Sequence, residues 1–273
     1  MAESHGRFVW YELTTTDMAA TRAFYTEVVG WGARDASMAG LPYTVFTAWD
    51  DPVSGMMELP KAARDRGERP MWIGYIHVDD VDAVADRIKQ LGGAVHLPPQ
   101  DVMNISRFSV VSDPQMAIFA LFKWQSPGQA RSLDRLRLGC VGWHELLAAD
   151  YEKAWDFYGK LFGWQKARTN VSSVGLYQQF SIAGETTGGM MTKPSTVPTS
   201  CWLYYFNVGD IDAAIKRVKA AGGKLLGGPM EVPDGNSIAQ CADPQGAMFA
   251  LTGQRGFGYF KRADVHQQAR RGK

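Results

Sequence analysis

The pattern of apolar and polar positions predicts a unit of one strand, one helix and three strands near the start of the chain. Residues 7 to 13 are aromatic or branched, which favours a strand. Asp17 can cap the helix that follows, and Gly30 can end it. The core-facing stripe of this helix recurs at a spacing of four residues, at Ala20, Phe24 and Val28. Three short strand candidates follow, around residues 32–34, 43–49 and 54–59.

The same order of elements begins again after the charged stretch 61–69, which we predict to be a connector. Residues 72 to 78 form the strand candidate, and Asp79 or Asp80 can cap the next helix. Gly92 and Gly93 end that helix, since glycine is common just past a helix C-terminus. Three further strands are expected near Ala94, Arg107 and Ala117.

The whole pattern is written twice along the 273 residues. Trp10-Tyr11-Glu12-Leu13 returns 133 positions later as Trp143-His144-Glu145-Leu146. A second block, which includes Asp113-Pro114-Gln115, returns 130 positions later as Asp243-Pro244-Gln245. Each copy must therefore be a folding unit, and a residue kept in both copies has a shared physical cause.

Composition narrows the class of protein. The 29 basic and 28 acidic residues nearly cancel, so no global charge favours nucleic acid or a membrane surface. No run approaches the roughly 20 apolar residues of a membrane span, and we expect a cytoplasmic protein. Cys140, Cys201 and Cys241 lack paired spacing, which favours free thiols. We predict a small-molecule ligand as the partner, and a homodimer is compatible with the chain.

These motifs together resemble the vicinal oxygen chelate superfamily, which includes glyoxalases, bleomycin-resistance proteins and extradiol dioxygenases. The resemblance implies an α+β fold: a tandem duplication of glyoxalase-like domains, each built from two βαβββ modules whose mixed sheets curl around a cleft. We place the N-terminal domain at residues 1–124, the linker at 125–139, the C-terminal domain at 140–253 and a basic tail at 254–273.

The resemblance also implies where a divalent metal would bind in enzymes of this superfamily, on the first and last strands of each module. Those positions hold Trp10, Ile73 and Ala120 in the first copy, and Trp143, Leu203 and Ala250 in the second. None of these side chains is a metal ligand. We therefore predict no metal or other cofactor; a divalent metal at a non-standard site is the alternative.

Strand alternation predicts the lining of the two clefts, because side chains two apart share a face. Glu12 and His77 are the candidate catalytic residues, as an acid and base pair that needs no metal. The candidate ligand-binding residues are Trp10, Tyr75, Met57 and Phe122 in the first copy, and Trp143, Glu145, Tyr205, Asn207 and Met191 in the second. Aromatic and methionine side chains with few polar groups suit a mostly apolar ligand.

Each candidate also has a structural interpretation. Trp10 and Trp143 can simply plug the cavity, and Glu12 and Glu145 can be structural carboxylates satisfied by backbone donors or an arginine. The sequence thus predicts a protein that binds a small apolar or aromatic molecule without the standard metal ligands. The alternative is a lyase, isomerase or oxygenase of the same superfamily that uses Glu12 and His77 or a non-standard metal site. A third interpretation makes the second copy a scaffold with an occluded cleft.

Overall fold

The computed structural model describes residues 5–38, 40–102, 104–126, 134–172 and 175–256. Each copy of the repeat forms one mixed sheet of eight strands with its own helices. Most of the predicted basic tail and the middle of the predicted linker lie outside the described residues.

The first copy contains two βαβββ modules, as the sequence predicts. Their elements are β1 (Phe8–Thr15), α1 (Met18–Val29), β2 (Gly32–Asp35), β3 (Tyr43–Ala48), β4 (Asp51–Glu58), α2 (Lys61–Asp65), β5 (Met71–His77), α3 (Val81–Gln90), β6 (Ala94–Val102), β7 (Ser106–Ser112) and β8 (Ile118–Trp124). The short helix α2 lies in the charged stretch 61–69, which we had expected to be only a connector.

The second copy repeats this order without a counterpart of α2. Its elements are β9 (Val141–Ala148), α4 (Tyr151–Phe162), β10 (Gln165–Ser172), β11 (Gly175–Ile182), β12 (Glu185–Thr192), β13 (Cys201–Asp210), α5 (Ile211–Ala220), β14 (Lys224–Glu231), β15 (Ser237–Ala242) and β16 (Met248–Gln254).

The first strands of the two modules lie side by side at the centre of each sheet. The strand order is β2-β3-β4-β1-β5-β8-β7-β6 in the first copy and β10-β11-β12-β9-β13-β16-β15-β14 in the second. The central pair β1 and β5 is antiparallel, whereas β1 pairs with β4, and β5 with β8, in parallel. The first and last strands of both modules therefore meet in the middle of the sheet.

Local capping explains where the helices begin and end. The Asp17 carboxylate accepts a hydrogen bond from the Ala20 amide, and Gly30 ends α1 at φ 85°, a left-handed conformation that glycine adopts without strain. The buried face of α1 consists of Thr21, Phe24, Tyr25 and Val28. Ala20 is exposed, so the predicted stripe was wrong by one position there. Asp80, and not Asp79, caps α3.

The two copies pack against each other through the sheet faces that lie opposite the predicted clefts. One hydrophobic core runs through both copies and is rich in aromatic rings. The ring of Phe206 lies 4.9 Å from Trp31 and 5.1 Å from Trp72. Phe119 lies 5.6 Å from Tyr158. These contacts give the interface between the copies the character of a domain core.

Polar contacts across this interface come in equivalent pairs. The buried Tyr25 hydroxyl donates to the Asp243 carboxylate, and Tyr158 donates to Asp113 in the same way, both at 3.2 Å. The indole N–H of Trp31 donates to the Gly139 carbonyl, and that of Trp164 donates to the Gly6 carbonyl. The two copies are thus related by a pseudo-two-fold axis, as the halves of an isologous dimer are.

All three cysteines are free, as expected. Within the described residues, no helix combines the length and the apolar character that crossing a membrane requires.

Candidate functional site: two equivalent clefts around a carboxylate

The face of the first sheet that points away from the other copy carries the predicted cleft residues. Trp10 pairs with Tyr75 across β1 and β5, and Glu12 pairs with Ile73. Directly paired residues share a face, so these four side chains lie together. A small hydrophobic cluster, separate from the core between the copies, forms here around Ile73, Tyr75, Ala120 and Phe122, with Trp10 packed against it.

Two tyrosine hydroxyls hold the carboxylate of Glu12. Tyr75 donates to Oε1 and Tyr43 donates to Oε2, both at 2.9 Å. The indole N–H of Trp10 donates in turn to the Tyr43 hydroxyl at 3.3 Å. The donors are side chains of the cleft itself, so the expectation of backbone donors or an arginine was wrong.

A glycine on β4 makes this arrangement sterically feasible. Gly55 pairs with both Glu12 on β1 and Val45 on β3. A Cβ atom at Gly55 would collide with the hydroxyl and ring of Tyr43. Tyr43 can therefore reach Glu12 only because the residue beneath its ring has no side chain.

The second copy builds the same centre with equivalent residues. The Tyr205 hydroxyl donates to Glu145 Oε2 at 2.7 Å, and Tyr177 is also hydrogen-bonded to Glu145. Trp143 donates to the Tyr177 hydroxyl at 2.7 Å. The ring of Tyr177 lies over Gly189, where a Cβ atom would collide with it. A tryptophan, two tyrosines, a glutamate and a glycine thus form a repeated motif.

One additional donor distinguishes the second copy. The side-chain amide of Gln240 donates to Glu145 Oε2 at 3.2 Å. The equivalent residue on β7 of the first copy is Val110, which pairs with Ala120 as Gln240 pairs with Ala250. Glu145 is 5% exposed, whereas Glu12 is partly exposed. The carboxylate of the second cleft is therefore the more occluded of the two.

The walls of the two clefts also differ. In the first copy the ring of Tyr75 lies 6.1 Å from Phe108 and 5.9 Å from Phe122, and Phe122 lies 4.6 Å from Trp124. The equivalent positions in the second copy hold Ile238, Thr252 and Gln254. The additional wall of Phe108, Phe122 and Trp124, which can stack on a planar ligand, therefore has no aromatic counterpart at the equivalent positions of the second cleft.

The electrostatic environment favours the neutral form of each glutamate more than water does. Burial raises the pKa of the Glu12 carboxyl, and the hydrogen bonds from Tyr43 and Tyr75 oppose part of that rise. Burial likewise raises the pKa of Glu145, against the hydrogen bonds from Tyr205, Tyr177 and Gln240. The ionised form of a carboxyl with a raised pKa is more basic than an ordinary carboxylate. It can therefore accept a hydrogen bond from a ligand or act as a general base in catalysis.

The structure does not bring His77 to Glu12. Glu12 pairs with Ile73, and His77 lies four residues further along β5, roughly 13 Å away. The main effect on the pKa of His77 is a lowering by burial, followed by the charges of Asp79, His5 and Lys123. The predicted acid and base pair is therefore not formed, and Glu12 stands without that partner.

Asn207 is also placed differently from the prediction. Its amide nitrogen donates to the carbonyls of Arg135 and Arg137, at 2.5 Å and 3.0 Å. Asn207 thus fastens the segment that leads into the second copy, and its donors are not directed at a ligand. The predicted ligand contact is replaced by a structural one.

The methionine pairs divide between the two faces of their strands. Met56 and Met190 are fully buried in the core between the copies. Met57 and Met191 pair with Tyr43 and Tyr177, which places them on the cleft faces. The second methionine of each pair therefore occupies the predicted position.

The cleft residues do not fit the divalent metal that the resemblance implies. The expected ligand positions form the apolar floor of each cleft, at Ile73 and Ala120 and at Leu203 and Ala250. Within the described part of the chain, no three His, Cys, Asp or Glu side chains come together as a metal site. A single carboxylate engaged by tyrosine hydroxyls is a poor donor set for a divalent ion.

Tyr43 and Tyr177 were missed in the sequence, although a signal for them exists. They lie 134 residues apart, as do Gly55 and Gly189. The alignment of the copies at offsets of 133 and 130 passes over this block, because the connecting turns differ in length. A third offset would have identified the motif.

Comparison with known proteins agrees with this architecture. Residues 7–121 and 140–251 both match the family model described as Glyoxalase/Bleomycin resistance protein/Dioxygenase superfamily. A Mycobacterium bovis protein named "Putative glyoxylase CFP32" is 32% identical over 244 residues, which are 89% of this chain and 92% of that protein. The "Anthracycline biosynthesis protein DnrV" of Streptomyces peucetius is 29% identical over 260 residues, 90% of this chain and 92% of that protein.

Solved structures share the fold at low sequence identity. A Mn(II)-bound glyoxalase from Novosphingobium aromaticivorans aligns with a TM-score of 0.60 at 17% identity, over 92% of this chain and 82% of that one. The 2,3-dioxygenase LapB from a Pseudomonas species aligns with a TM-score of 0.62 at 11% identity, over 94% of this chain and 96% of that one. At these identities the likeness concerns the fold alone.

Proposed function

The chain belongs to the Glyoxalase/Bleomycin resistance protein/Dioxygenase superfamily, and from this premise we propose that it binds a small, largely apolar or aromatic molecule in its N-terminal cleft. Binding of this kind needs affinity and shape, without the metal ligands that the superfamily's enzymes use.

One observation carries this proposal. The partly exposed carboxylate of Glu12 lies in an otherwise aromatic cleft, where Trp10 and the rings of Tyr43 and Tyr75 surround it. Phe108 and Phe122 extend the aromatic wall. A ligand site is typically such an apolar concavity with one or a few polar groups that fix orientation.

The relatives support a planar aromatic ligand. Two of them, from Streptomyces peucetius and Streptomyces sp., carry names that refer to anthracycline biosynthesis, and both align over 90% of this chain. Anthracyclines are polycyclic aromatic compounds, and a wall of Phe108, Phe122 and Trp124 is suited to stacking with rings of that kind.

A second candidate function is catalysis by Glu12 as a general base. The raised pKa of its carboxyl favours this function, as does the name of the mycobacterial relative. The distance between His77 and Glu12 weakens the case for catalysis. Among the described residues, the titratable side chains hydrogen-bonded to Glu12 are the tyrosines Tyr43 and Tyr75.

Calorimetric titration with two aromatic probes, 1-naphthol and 1-methoxynaphthalene, tests the binding proposal. We expect about one binding site per chain for at least one probe. Trp10→Ala should weaken binding by about tenfold or more, since a stacked aromatic contact and its buried area are lost. Trp143→Ala in the second cleft is the matched control and should leave affinity within about twofold.

Equal affinity of wild type and Trp10→Ala, once both are shown to be folded, would contradict the proposal. Elemental analysis of the dialysed protein adds a second readout. A stoichiometric transition metal that is lost together with the bound ligand on Glu12→Gln would favour the metalloenzyme alternative.

A further inference from the structure

The second cleft contains a hydrogen-bond donor that the first cleft lacks. The Gln240 amide donates to Glu145 Oε2, the same oxygen that accepts from Tyr205. A carboxylate oxygen has two lone pairs, so it can accept both bonds at once. In the second copy, therefore, an N–H donor of the protein itself is hydrogen-bonded to the central glutamate, Glu145.

The first cleft leaves that acceptor position to a ligand. Glu12 Oε1 accepts from Tyr75, the equivalent of Tyr205. Val110 stands where Gln240 stands and has no donor to offer. Among the described residues, Tyr43 and Tyr75 are the side chains that donate to Glu12, and each oxygen receives one of these bonds.

The two copies also differ on the edge strand that pairs with this one, which is β6 in the first copy and β14 in the second. Gly227 pairs with Gln240 on β14 and β15, whereas Leu97 pairs with Val110 on β6 and β7. A Cβ atom on Gly227 would lie 3.6 Å from Oε1 of Gln240. In the second cleft Gln240 contributes a polar side chain next to Gly227. In the first cleft Leu97 and Val110 give an apolar border. The two clefts therefore differ at two paired positions, and not at one residue alone.

We propose that the ligand of the N-terminal cleft is an aromatic molecule that carries an N–H or O–H donor, and that this donor binds Glu12 Oε1 in the place that the Gln240 amide takes on Glu145. The inference rests on the proposed function and adds the chemical class of the ligand. It also assigns Gln240 the role of an internal substitute for that ligand donor in the second cleft.

Two probes that differ in one donor test the inference. The hydroxyl of 1-naphthol can donate to Glu12, whereas 1-methoxynaphthalene has the same ring system and no donor. We expect wild type to bind 1-naphthol at least about tenfold more tightly, because a hydrogen bond to an ionised group is among the stronger ones. The preference should fall as the pH is lowered and Glu12 becomes protonated.

Substitution at Val110 supplies the internal donor. Val110→Gln should abolish the preference for 1-naphthol, since the new amide competes for the same oxygen. Val110→Met is the matched control: its side chain has a similar length, fills similar space and cannot donate. If Leu97 prevents the new side chain from reaching Glu12, the double variant Val110→Gln, Leu97→Gly reproduces the pair found in the second copy.

The outcomes separate this inference from the function on which it rests. Equal affinity of wild type for the two probes would overturn the inference and leave the binding function intact. Loss of the preference in Val110→Met as much as in Val110→Gln would overturn it as well, because the effect would then be steric. Binding of neither probe to wild type would overturn both. Loss in the glutamine variants alone would support the inference.

Discussion

The hydroxyl of Tyr11 lies 2.6 Å from Nε2 of His144, and the two residues occupy the same position in the two copies, 133 residues apart. A second equivalent pair also meets, since the Gly74 amide donates to the Tyr204 hydroxyl at 2.7 Å. Equivalent residues touch each other only near a two-fold axis. A single chain can place different residues on the two sides of that axis, and here it pairs tyrosine with histidine and glycine with tyrosine.

The Thr187 carbonyl fixes the tautomer of His144 and with it the direction of the Tyr11 hydrogen bond. Nδ1 of His144 lies 2.8 Å from the Thr187 carbonyl oxygen, which can only accept. Nδ1 therefore carries the proton, and Nε2 accepts from Tyr11. Burial lowers the pKa of His144 to about 3 from its usual value of 6.5, so the ring is neutral in the folded protein at physiological pH.

We predict that His144 makes the protein less stable in acid. Between pH 6.5 and about 3 the unfolded chain binds a proton at His144 that the folded chain does not, so stability decreases as the pH falls. The slope from this residue is about 1.4 kcal/mol per pH unit. Chemical unfolding of wild type and His144→Asn at pH 7.5, 6 and 4.5 measures it. The stability advantage of wild type at pH 7.5 should shrink at each step.

The comparison with His144→Asn cancels the titration of other groups. Burial raises the pKa of Asp113 and Asp243 as it does that of Glu12 and Glu145, and these carboxyls act with the opposite sign, stabilising the fold as the pH falls. Both proteins contain them. A constant difference between wild type and the variant from pH 7.5 to 4.5 would mean that His144 titrates normally in the folded protein.

The two tyrosines that cross the interface should be equally important for stability. The Tyr25 hydroxyl donates to Asp243 and accepts from the Trp72 indole, and Tyr158 does the same with Asp113 and Trp202. Phenylalanine at either position would leave a buried indole N–H without its acceptor. We expect Tyr25→Phe and Tyr158→Phe each to lower the free energy of unfolding by about 1–3 kcal/mol.

The partly exposed Tyr151 provides a control for these two variants. Among the described residues, its hydroxyl donates to the neighbouring Glu152 at 3.2 Å, and Tyr151→Phe should change stability by less than about 0.5 kcal/mol. A large loss in one interface variant and none in the other would argue that the pseudo-symmetric contacts are not energetically equivalent.

The fold could be predicted from the sequence because each pattern of helix and strand occurs twice, so each predicted element is supported by its counterpart in the other copy. Asp17 and Gly30 gave the bounds of α1, and strand alternation placed Trp10, Glu12 and Tyr75 on one face. The partners of Glu12 could not be predicted in the same way. Tyr43 reaches Glu12 from two strands away, over a glycine whose meaning depends on the pairing of β3 with β4.

His77 and Asn207 show the limit of counting along a strand. Alternation assigned both to the cleft face, but it gives no information about distance along the strand from the carboxylate. His77 ends β5, and Asn207 lies in the last part of β13. The carbonyl of each accepts a hydrogen bond from a glycine of the segment leading into its copy: Gly6 at His77 and Gly139 at Asn207. Tertiary contacts with those segments decide their surroundings, and these contacts leave no local pattern in the sequence.

The two copies should depend on each other for folding. Their shared core contains Trp31, Trp72, Phe119 and Phe206. Trp31 is 2% exposed, Trp72 is 4% exposed, and the two phenylalanines are fully buried. A single copy would expose this aromatic face to water, and large exposed apolar patches drive association. We predict that residues 1–126 and 134–273, expressed separately, aggregate or remain unfolded, whereas co-expression yields a stable complex.

Affinity purification through a tag on one half, followed by sedimentation analysis, measures the outcome. The expected product is a complex with one copy of each half. A folded monomer of either half, with a cooperative thermal transition of its own, would contradict the prediction. A stable homodimer of residues 1–126 would contradict it too, since such a dimer would bring two Tyr11 side chains together without a histidine acceptor.

The glycine beneath Tyr43 links the stability of the first cleft to its binding function. Gly55→Ala places a methyl group where the Tyr43 ring lies, so the ring must move and Glu12 must lose one of its two tyrosine donors. We predict a loss of about 1–3 kcal/mol in stability. Binding of 1-naphthol should weaken as well. Gly189→Ala should cost similar stability, because it displaces Tyr177 in the same way, but it should leave binding unchanged.

Adding Tyr43→Leu to Gly55→Ala separates the loss of packing from the loss of the hydrogen bond. The smaller side chain relieves the collision and should recover part of the stability, but it cannot donate to Glu12, so binding should stay weak. Recovery of full affinity in that double variant would show that Tyr43 acts only through packing.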